Sequence, residues 1–123
     1  MEYDWDAIII GGGPAGSTVA RYAADGGAKV LVIDRRRVIG TPLQCGELVP
    51  SNLQLKNLCP DVPDIDELFR TPDEAISRET KTMGLVAPSG KKLVYPFEGQ
   101  ILHRPIHDQK LVEMAKTKGA EFY

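Results

Sequence analysis

The stretch YDWDAIIIGGGPAGSTVARYAADGGAKVLVIDR, from Tyr3 to Arg35, decides the fold. Ala7, Ile8, Ile9 and Ile10 form a short continuous apolar run, the pattern of a strand buried on both faces of a parallel sheet. Gly11, Gly13 and Gly16 follow at once at GxGxxG spacing. Each glycine has its own reason. The first permits a tight turn off the strand, the second lets backbone approach a pyrophosphate, and the third lets the new helix pack closely on the sheet. The helix that opens here presents unpaired N–H groups and the positive end of its dipole to the phosphates.

Along that helix Val19, Ala20, Ala23 and Ala24 are expected to make the apolar face, with Arg21 and Asp25 pointing outward. Gly26 and Gly27 end it. Lys29 to Ile33 read as the second strand, and Asp34 stands at its carboxyl end, where a carboxylate accepts ribose hydroxyls. Asp34 follows Gly16 at close to the ~20-residue spacing of a dinucleotide-binding βαβ unit. Glycine turn, strand, helix and acid in this order predict an α/β, Rossmann-like domain.

Composition narrows the function classes. The chain has 123 residues, 26% of them charged, with a net charge of -2. That length suffices for one domain with a core and is short for a whole dinucleotide enzyme. The charge balance gives no reason to expect nucleic-acid binding, and it argues against a purely electrostatic membrane anchor. The N-terminus MEYDWD is acidic, unlike a secretory signal, and no stretch approaches the ~20 apolar residues of a spanning helix. A cytoplasmic protein is expected, with Cys45 and Cys59 as thiols.

Arg35, Arg36 and Arg37 read either as a solvated loop, or with Arg35 beside the adenine or ribose while the other two meet phosphate or water. A triple arginine suits a 2'-phosphate, but Asp34 would repel one, and the acid is the stronger signal. Gly40, Pro42, Gly46 and Pro50 exclude a long regular element between Val38 and Leu53. Within that segment Cys45 is either a buried structural cysteine or a functional one, and Gly46 would let backbone approach a flat ligand.

Residues 36–79 read as this loop plus a helical segment. Ser51 caps a short helix through Leu58, and Asp64 caps another through Phe69. Leu53, Leu55, Leu58, Ile65, Leu68 and Phe69 are expected to pack, and Thr71 to Glu79 to connect. Residues 80–103 read as a small antiparallel β excursion. Thr82 to Ala87 and Lys92 to Tyr95 flank the turn at Pro88 to Lys91, Pro96 ends the second arm, and Gln100 to His103 form a further strand.

Residues 104–123 return as a helix, Pro105 to Lys118, with Ile106, Leu111, Met114 and Ala115 near one face. Gly119 ends it, and Ala120 to Tyr123 begin another strand. His103 and His107 are four apart, but Pro105 lies between them and no ligand cluster completes a metal site, so no metal is expected.

The N-terminal pattern extends to Ala20, Gly27, Val30 and Asp34, and so resembles the FAD-binding signature of glutathione-reductase-type flavoproteins. With DRRRVIGTPLQCGE after the second strand and ILHRPIHDQKLVEMAKTKGAEFY at the end, the chain resembles the geranylgeranyl reductase family, flavoenzymes that saturate isoprenoid double bonds, including those of archaeal membrane lipids. The resemblance implies FAD as cofactor. It implies that Gly11, Gly13, Ala15 and Gly16 form the pyrophosphate turn, that Asp34 binds ribose and that Arg35 lies beside the adenosine. It places Cys45 and Gly46 in the loop reaching the flavin, Cys45 being the candidate for a catalytic role, and makes Arg104 a cofactor contact.

The resemblance also implies a prenyl-lipid substrate, peripheral membrane contact, and an electron donor left open between NAD(P)H and ferredoxin. Leu48 stands where relatives commonly carry the last glycine of Cys-Gly-Glu-Gly. The family's later glycine-aspartate motif and substrate domain are not among these residues, so the chain is expected to be the N-terminal part of such an enzyme, an incomplete domain that is either a fragment or truncated product or a shortened relative that cannot enclose a flavin by itself. A flavin monooxygenase of the same superfamily and a non-catalytic nucleotide-binding module are the alternative readings. Oligomeric state is not legible.

Overall fold

The computed structural model describes residues 3–123. In chain order the elements are β1 (Ala7–Ile10), α1 (Pro14–Asp25), β2 (Val30–Ile33), β3 (Leu48–Pro50), α2 (Asn52–Leu58), α3 (Ile65–Leu68), a 3-10 turn (Asp73–Ala75), β4 (Ile76–Val86), β5 (Lys92–Leu102), α4 (Arg104–Thr117) and β6 (Glu121–Phe122). They form two compact units, one made of residues up to Gln44 with Arg104–Tyr123, the other of Cys45–His103. The architecture is mixed α/β, with a parallel sheet in the first unit and an antiparallel one in the second.

The first unit is a parallel sheet in the order β1-β2-β6. Ala7 pairs with Val30 and Ile9 with Val32, while Val32 pairs with Phe122. This register puts Ala7, Ile9, Val30 and Val32 on one face, because side chains alternate along a strand. Both helices pack there. Ala20 and Ala24 of α1, Val30 and Val32 of β2, Ala115 of α4 and Ala120 make one buried cluster. Alanine at the helix contacts keeps the packing close, so bulk at these positions has nowhere to go.

Two expectations about this unit are corrected. β1 is not buried on both faces: Ile8 is 56% exposed and Ile10 80% exposed. The two helices cover only one face of the sheet, and β1 is its edge. The α1 face is also narrower than read, since Val19 is exposed and the buried residues are Ser17, Ala20 and Ala24. On α4 the buried side is Asp108, Val112 and Ala115, whereas Ile106 is exposed. Hydropathy misplaced that face because a charged residue sits at its centre.

The second unit is an antiparallel sheet in the order β3-β5-β4. It is larger than expected from residues 80–103. β4 begins at Ile76, inside the segment read as a connection, and β5 runs unbroken through Pro96. Pro96 faces Thr82 beside a register shift and outside the Gly99–Ile101 stretch that pairs with β3, so its missing N–H is tolerated. The three-residue β3 lies in the stretch read as loop.

Ser51 caps α2, its hydroxyl accepting the Gln54 N–H at 3.4 Å. Asp64 precedes α3 without a side-chain cap. Of the six residues expected to pack here, Leu55 and Ile65 are buried, while Leu53, Leu58, Leu68 and Phe69 are exposed. Short helices bury few side chains, and these two turn most of their apolar residues outward.

The alanine seam yields a direct test. Ala20→Leu, at a fully buried position against the sheet, is expected to cost about 1–3 kcal/mol by overpacking, read as a lowered midpoint in urea denaturation.

Candidate functional site

The glycine turn is shaped by one close approach. A Cβ on Gly16 would lie 1.8 Å from the Gly11 carbonyl oxygen and 3.3 Å from Ile9 Cγ2, so only hydrogen fits where α1 leaves the sheet. Gly11 itself turns at a φ of +105°, a conformation that L side chains rarely adopt. Gly13 differs from both. Its φ of -67° suits any residue, and a Cβ there would meet nothing within 4 Å. Backbone is thus exposed to open space at the position where a phosphate would approach.

Behind Gly13, Pro14 starts α1, Ala15 is exposed, and no side chain caps the helix and no acid lies in its first turn. The first N–H groups of a helix have no intrahelical acceptor. The positive end of the α1 dipole therefore meets none of the chain's own anions in that first turn, which suits it to a phosphate. Ser17, fully buried, anchors the turn from inside, its hydroxyl donating to the Gly12 carbonyl at 2.7 Å.

Asp34 ties the turn to the end of β2. Its Oδ2 accepts the Gly12 N–H and its Oδ1 accepts the Arg36 N–H, each at 2.8 Å. Partial burial pushes this carboxyl up, but those two N–H groups and the charges of Arg36 and Arg35 outweigh it and hold it below the ordinary aspartate range. Each oxygen keeps a second lone pair, so the carboxylate braces the turn and still has acceptor capacity toward a ligand. Arg35 is exposed beside it.

Arg104, at the start of α4, is fixed by a bidentate bond to Asp108, Nε to Oδ1 and Nη2 to Oδ2, both at 2.9 Å. His107 Nδ1 lies 2.9 Å from the same Oδ1. Burial pushes the Asp108 carboxyl up, and the bonds from His107 and Arg104, with their charges, outweigh that and hold it low. Gly40, at a φ of +85°, lies against this corner, and a Cβ there would sit 2.8 Å from Pro105 Cα. The planar Arg104 fork is preorganised by a buried partner.

In the second unit Cys45 and Gly46 lie on an exposed loop before β3. Cys45 is a free thiol whose sulfur accepts the Glu47 N–H at 3.4 Å, and Cys59 is also free and exposed. The left-handed residue of this loop is Glu47, at a φ of 61°, and not Gly46. Its carbonyl accepts the Leu102 N–H at 2.9 Å, which ties the loop to β5. A non-glycine residue in this region is uncommon and marks a conformation imposed by its surroundings. Among the described residues no group of three side chains could hold a metal.

Residues 9–54 match the model of an NAD(P)-binding Rossmann-like domain. The digeranylgeranylglycerophospholipid reductase of Picrophilus torridus is 35% identical over the whole of this chain and 30% of its own length. A solved geranylgeranyl bacteriochlorophyll reductase-like protein from Thermoplasma acidophilum superposes with a TM-score of 0.77 at 31% identity, over 97% of this chain and 29% of that one. The chain is thus similar to a part of these geranylgeranyl reductases. A Methanosarcina barkeri protein named for its place in the nifH2 5' region is 35% identical over 98% of this chain and 64% of its own length. The chain thus spans under a third of the geranylgeranyl reductases it matches and just under two thirds of the Methanosarcina relative.

Set beside the geranylgeranyl reductase pattern, the first unit brings together the glycine turn, Asp34 and Arg35, and separately Arg104 with Asp108. Sequence reading missed Ser17, Asp108 and Glu47. Asp108 was findable, since an acid four residues after an arginine on a helix is a standard ion-pair spacing. Ser17 and Glu47 carry no such signal.

Two outcomes follow from these acids. A carboxyl held low in the fold stabilises above its unfolded value and loses that contribution as pH falls through the folded one. Thermal melts should therefore show stability falling below about pH 4, with a shallower acid loss in Asp34→Asn. Asp108→Ala, which removes the buried carboxylate that Arg104 and His107 share, is expected to cost about 1–3 kcal/mol in denaturant unfolding.

Proposed function

We propose that this chain is the nucleotide-binding N-terminal portion of an FAD-dependent reductase that saturates isoprenoid, geranylgeranyl-type double bonds in membrane-lipid biosynthesis. The carrying observation is the uncapped N-terminus of α1 behind a glycine turn whose open side is at Gly13. The relatives named digeranylgeranylglycerophospholipid reductase support this reaction class and a prenyl-lipid substrate. The halogenase PltM, solved with FAD, shares this fold at 20% identity.

In this reading Gly11, Gly13, Ala15 and Gly16 hold the pyrophosphate, and Asp34 takes the ribose hydroxyls with its remaining lone pairs. Arg35 flanks the adenosine, and Arg104, oriented by Asp108, is a further cofactor contact. Reduced FAD, when bound, would supply a hydride equivalent to one alkene carbon while a proton reaches the neighbouring carbon. Cys45 and Gly46 belong to the loop that faces the flavin, where the Cys45 thiol is the candidate group beside the reacting alkene. An alkene has no carbonyl to polarise, so positioning and a dry pocket carry the rate. NAD(P)H or ferredoxin donates the electrons, and the enzyme works from the cytoplasmic side at the membrane surface where its prenyl lipid lies. No helix among the described residues is long and apolar enough to cross a membrane.

Two glycine variants test the reading against each other. Gly13→Val is expected to fold normally and lose FAD, because its side chain enters open space at the phosphate position. Gly16→Val is expected to fail to fold, because its Cβ meets the Gly11 carbonyl. Flavin-fluorescence titration with circular dichroism reads both, and unchanged FAD affinity in a folded Gly13→Val would remove the phosphate assignment. A folded wild-type chain that binds no flavin would favour a non-catalytic module. Oxygen-dependent substrate modification by the full-length enzyme, in place of alkene saturation, would favour a monooxygenase.

A further inference from the structure

Both carbonyls that flank Gly13 bond to Ser17. The Ser17 hydroxyl donates to the Gly12 carbonyl at 2.7 Å, and the Ser17 backbone N–H donates to the Gly13 carbonyl at 2.9 Å. Among the described residues the Gly12 carbonyl has no other donor, and the Gly13 N–H has no acceptor. The peptide joining the two glycines is trans, so its C=O and N–H point in opposite directions. With the carbonyl drawn inward to a fully buried hydroxyl, the Gly13 N–H is turned outward. It faces the open space around Gly13, where an added Cβ would meet nothing within 4 Å.

We propose that Ser17 is a positioning residue for the phosphate site: it fixes the plane of the Gly12–Gly13 peptide so that the Gly13 N–H donates to the ligand. The inference rests on the pyrophosphate reading of the turn given above, which the match to a Rossmann-like domain supports independently. A clamp is needed because glycine stands on both sides of this peptide. Turning the plane over would carry Gly13 to positive φ, which glycine adopts freely, so local sterics do not hold it. The turned plane would present a carbonyl to an anion and hide the donor. Asp34 holds the Gly12 N–H and thereby the preceding peptide, which leaves this one to Ser17. Pro14 sharpens the requirement, because it has no N–H to offer in compensation. The two bonds of Ser17 have separate roles. Its backbone bond to Gly13 belongs to the start of α1 and survives loss of the hydroxyl, whereas the side-chain bond decides which way the peptide faces.

The test is an amide-resolved NMR titration of the isotopically labelled chain with ADP and with adenosine, in the wild type and in Ser17→Ala. Alanine removes the hydroxyl and adds no bulk at this fully buried position, and circular dichroism reads whether the variant folds. In the wild type, ADP and not adenosine is expected to move the Gly13 amide proton strongly downfield, as an N–H does when it donates to phosphate. In folded Ser17→Ala that shift is lost and ADP affinity falls about tenfold, the worth of one hydrogen bond to a charged group, while adenosine affinity is unchanged. A role in packing alone would weaken both ligands together or neither. Equal losses for the two ligands, or full ADP affinity in folded Ser17→Ala, would overturn the inference. So would ADP binding to the wild type that shifts the Ala15 and Gly16 amides but not Gly13, a result that needs no variant and decides the role of Ser17 even where Ser17→Ala does not fold. A wild-type chain that binds no ADP would overturn the phosphate reading itself, and this inference with it.

Discussion

The contact between Gly16 and the Gly11 carbonyl is the constraint on which the first unit depends. With no Cβ between them, α1 starts directly at the end of β1, and the glycine turn is pressed into the narrow arc between the two. The Ser17 hydroxyl closes the arc from within, and the Asp34 carboxylate closes it from the neighbouring strand. The backbone next to Gly13 is therefore held on both sides of Gly12, by a buried hydrogen bond from Ser17 and a partly buried one to Asp34.

Close packing at the turn propagates into the core. Because α1 leaves the sheet at short range, its contact residues are small, and α4 meets it through Ala115 with Ala120 beneath. A core this rich in alanine gives little area per residue, and the structure supplements it with polar anchors. Asp108 is the clearest, a carboxylate 3% exposed and satisfied by Arg104 and His107. Such a pair adds little net stability over an apolar one, but it fixes one guanidinium in one place. The cost of burying Asp108 is thus tied to the fixed orientation of the Arg104 guanidinium.

The second unit follows different rules. Its long β4–β5 hairpin exposes Leu85, Leu93 and Val94, and its helices expose Leu58 and Phe69. Its regular elements are set by backbone pairing more than by a large core, and one of the register shifts along β4 lies beside the Thr82–Pro96 pair. The tie from Glu47 to Leu102 shapes the Cys45 loop by the same means, through backbone hydrogen bonding.

The sequence by itself determined the β1–α1–β2 unit, its glycine turn and the acid that follows. Those features are local: strand period, helix start and turn chemistry are written in adjacent residues, and Gly11 and Gly16 admit few substitutes. It also specified the hairpin turn at Pro88 to Lys91 and the return of a helix after His103. Only the tertiary structure decided that Ile8 and Ile10 lie on an uncovered face, that β3 joins the second sheet, and that Asp108 and not Ile106 faces inward on α4. Only it turned Asp34 toward Gly12. Each of these depends on partners distant in the chain, and neither hydropathy nor spacing encodes which partner a buried charge or a three-residue strand will find.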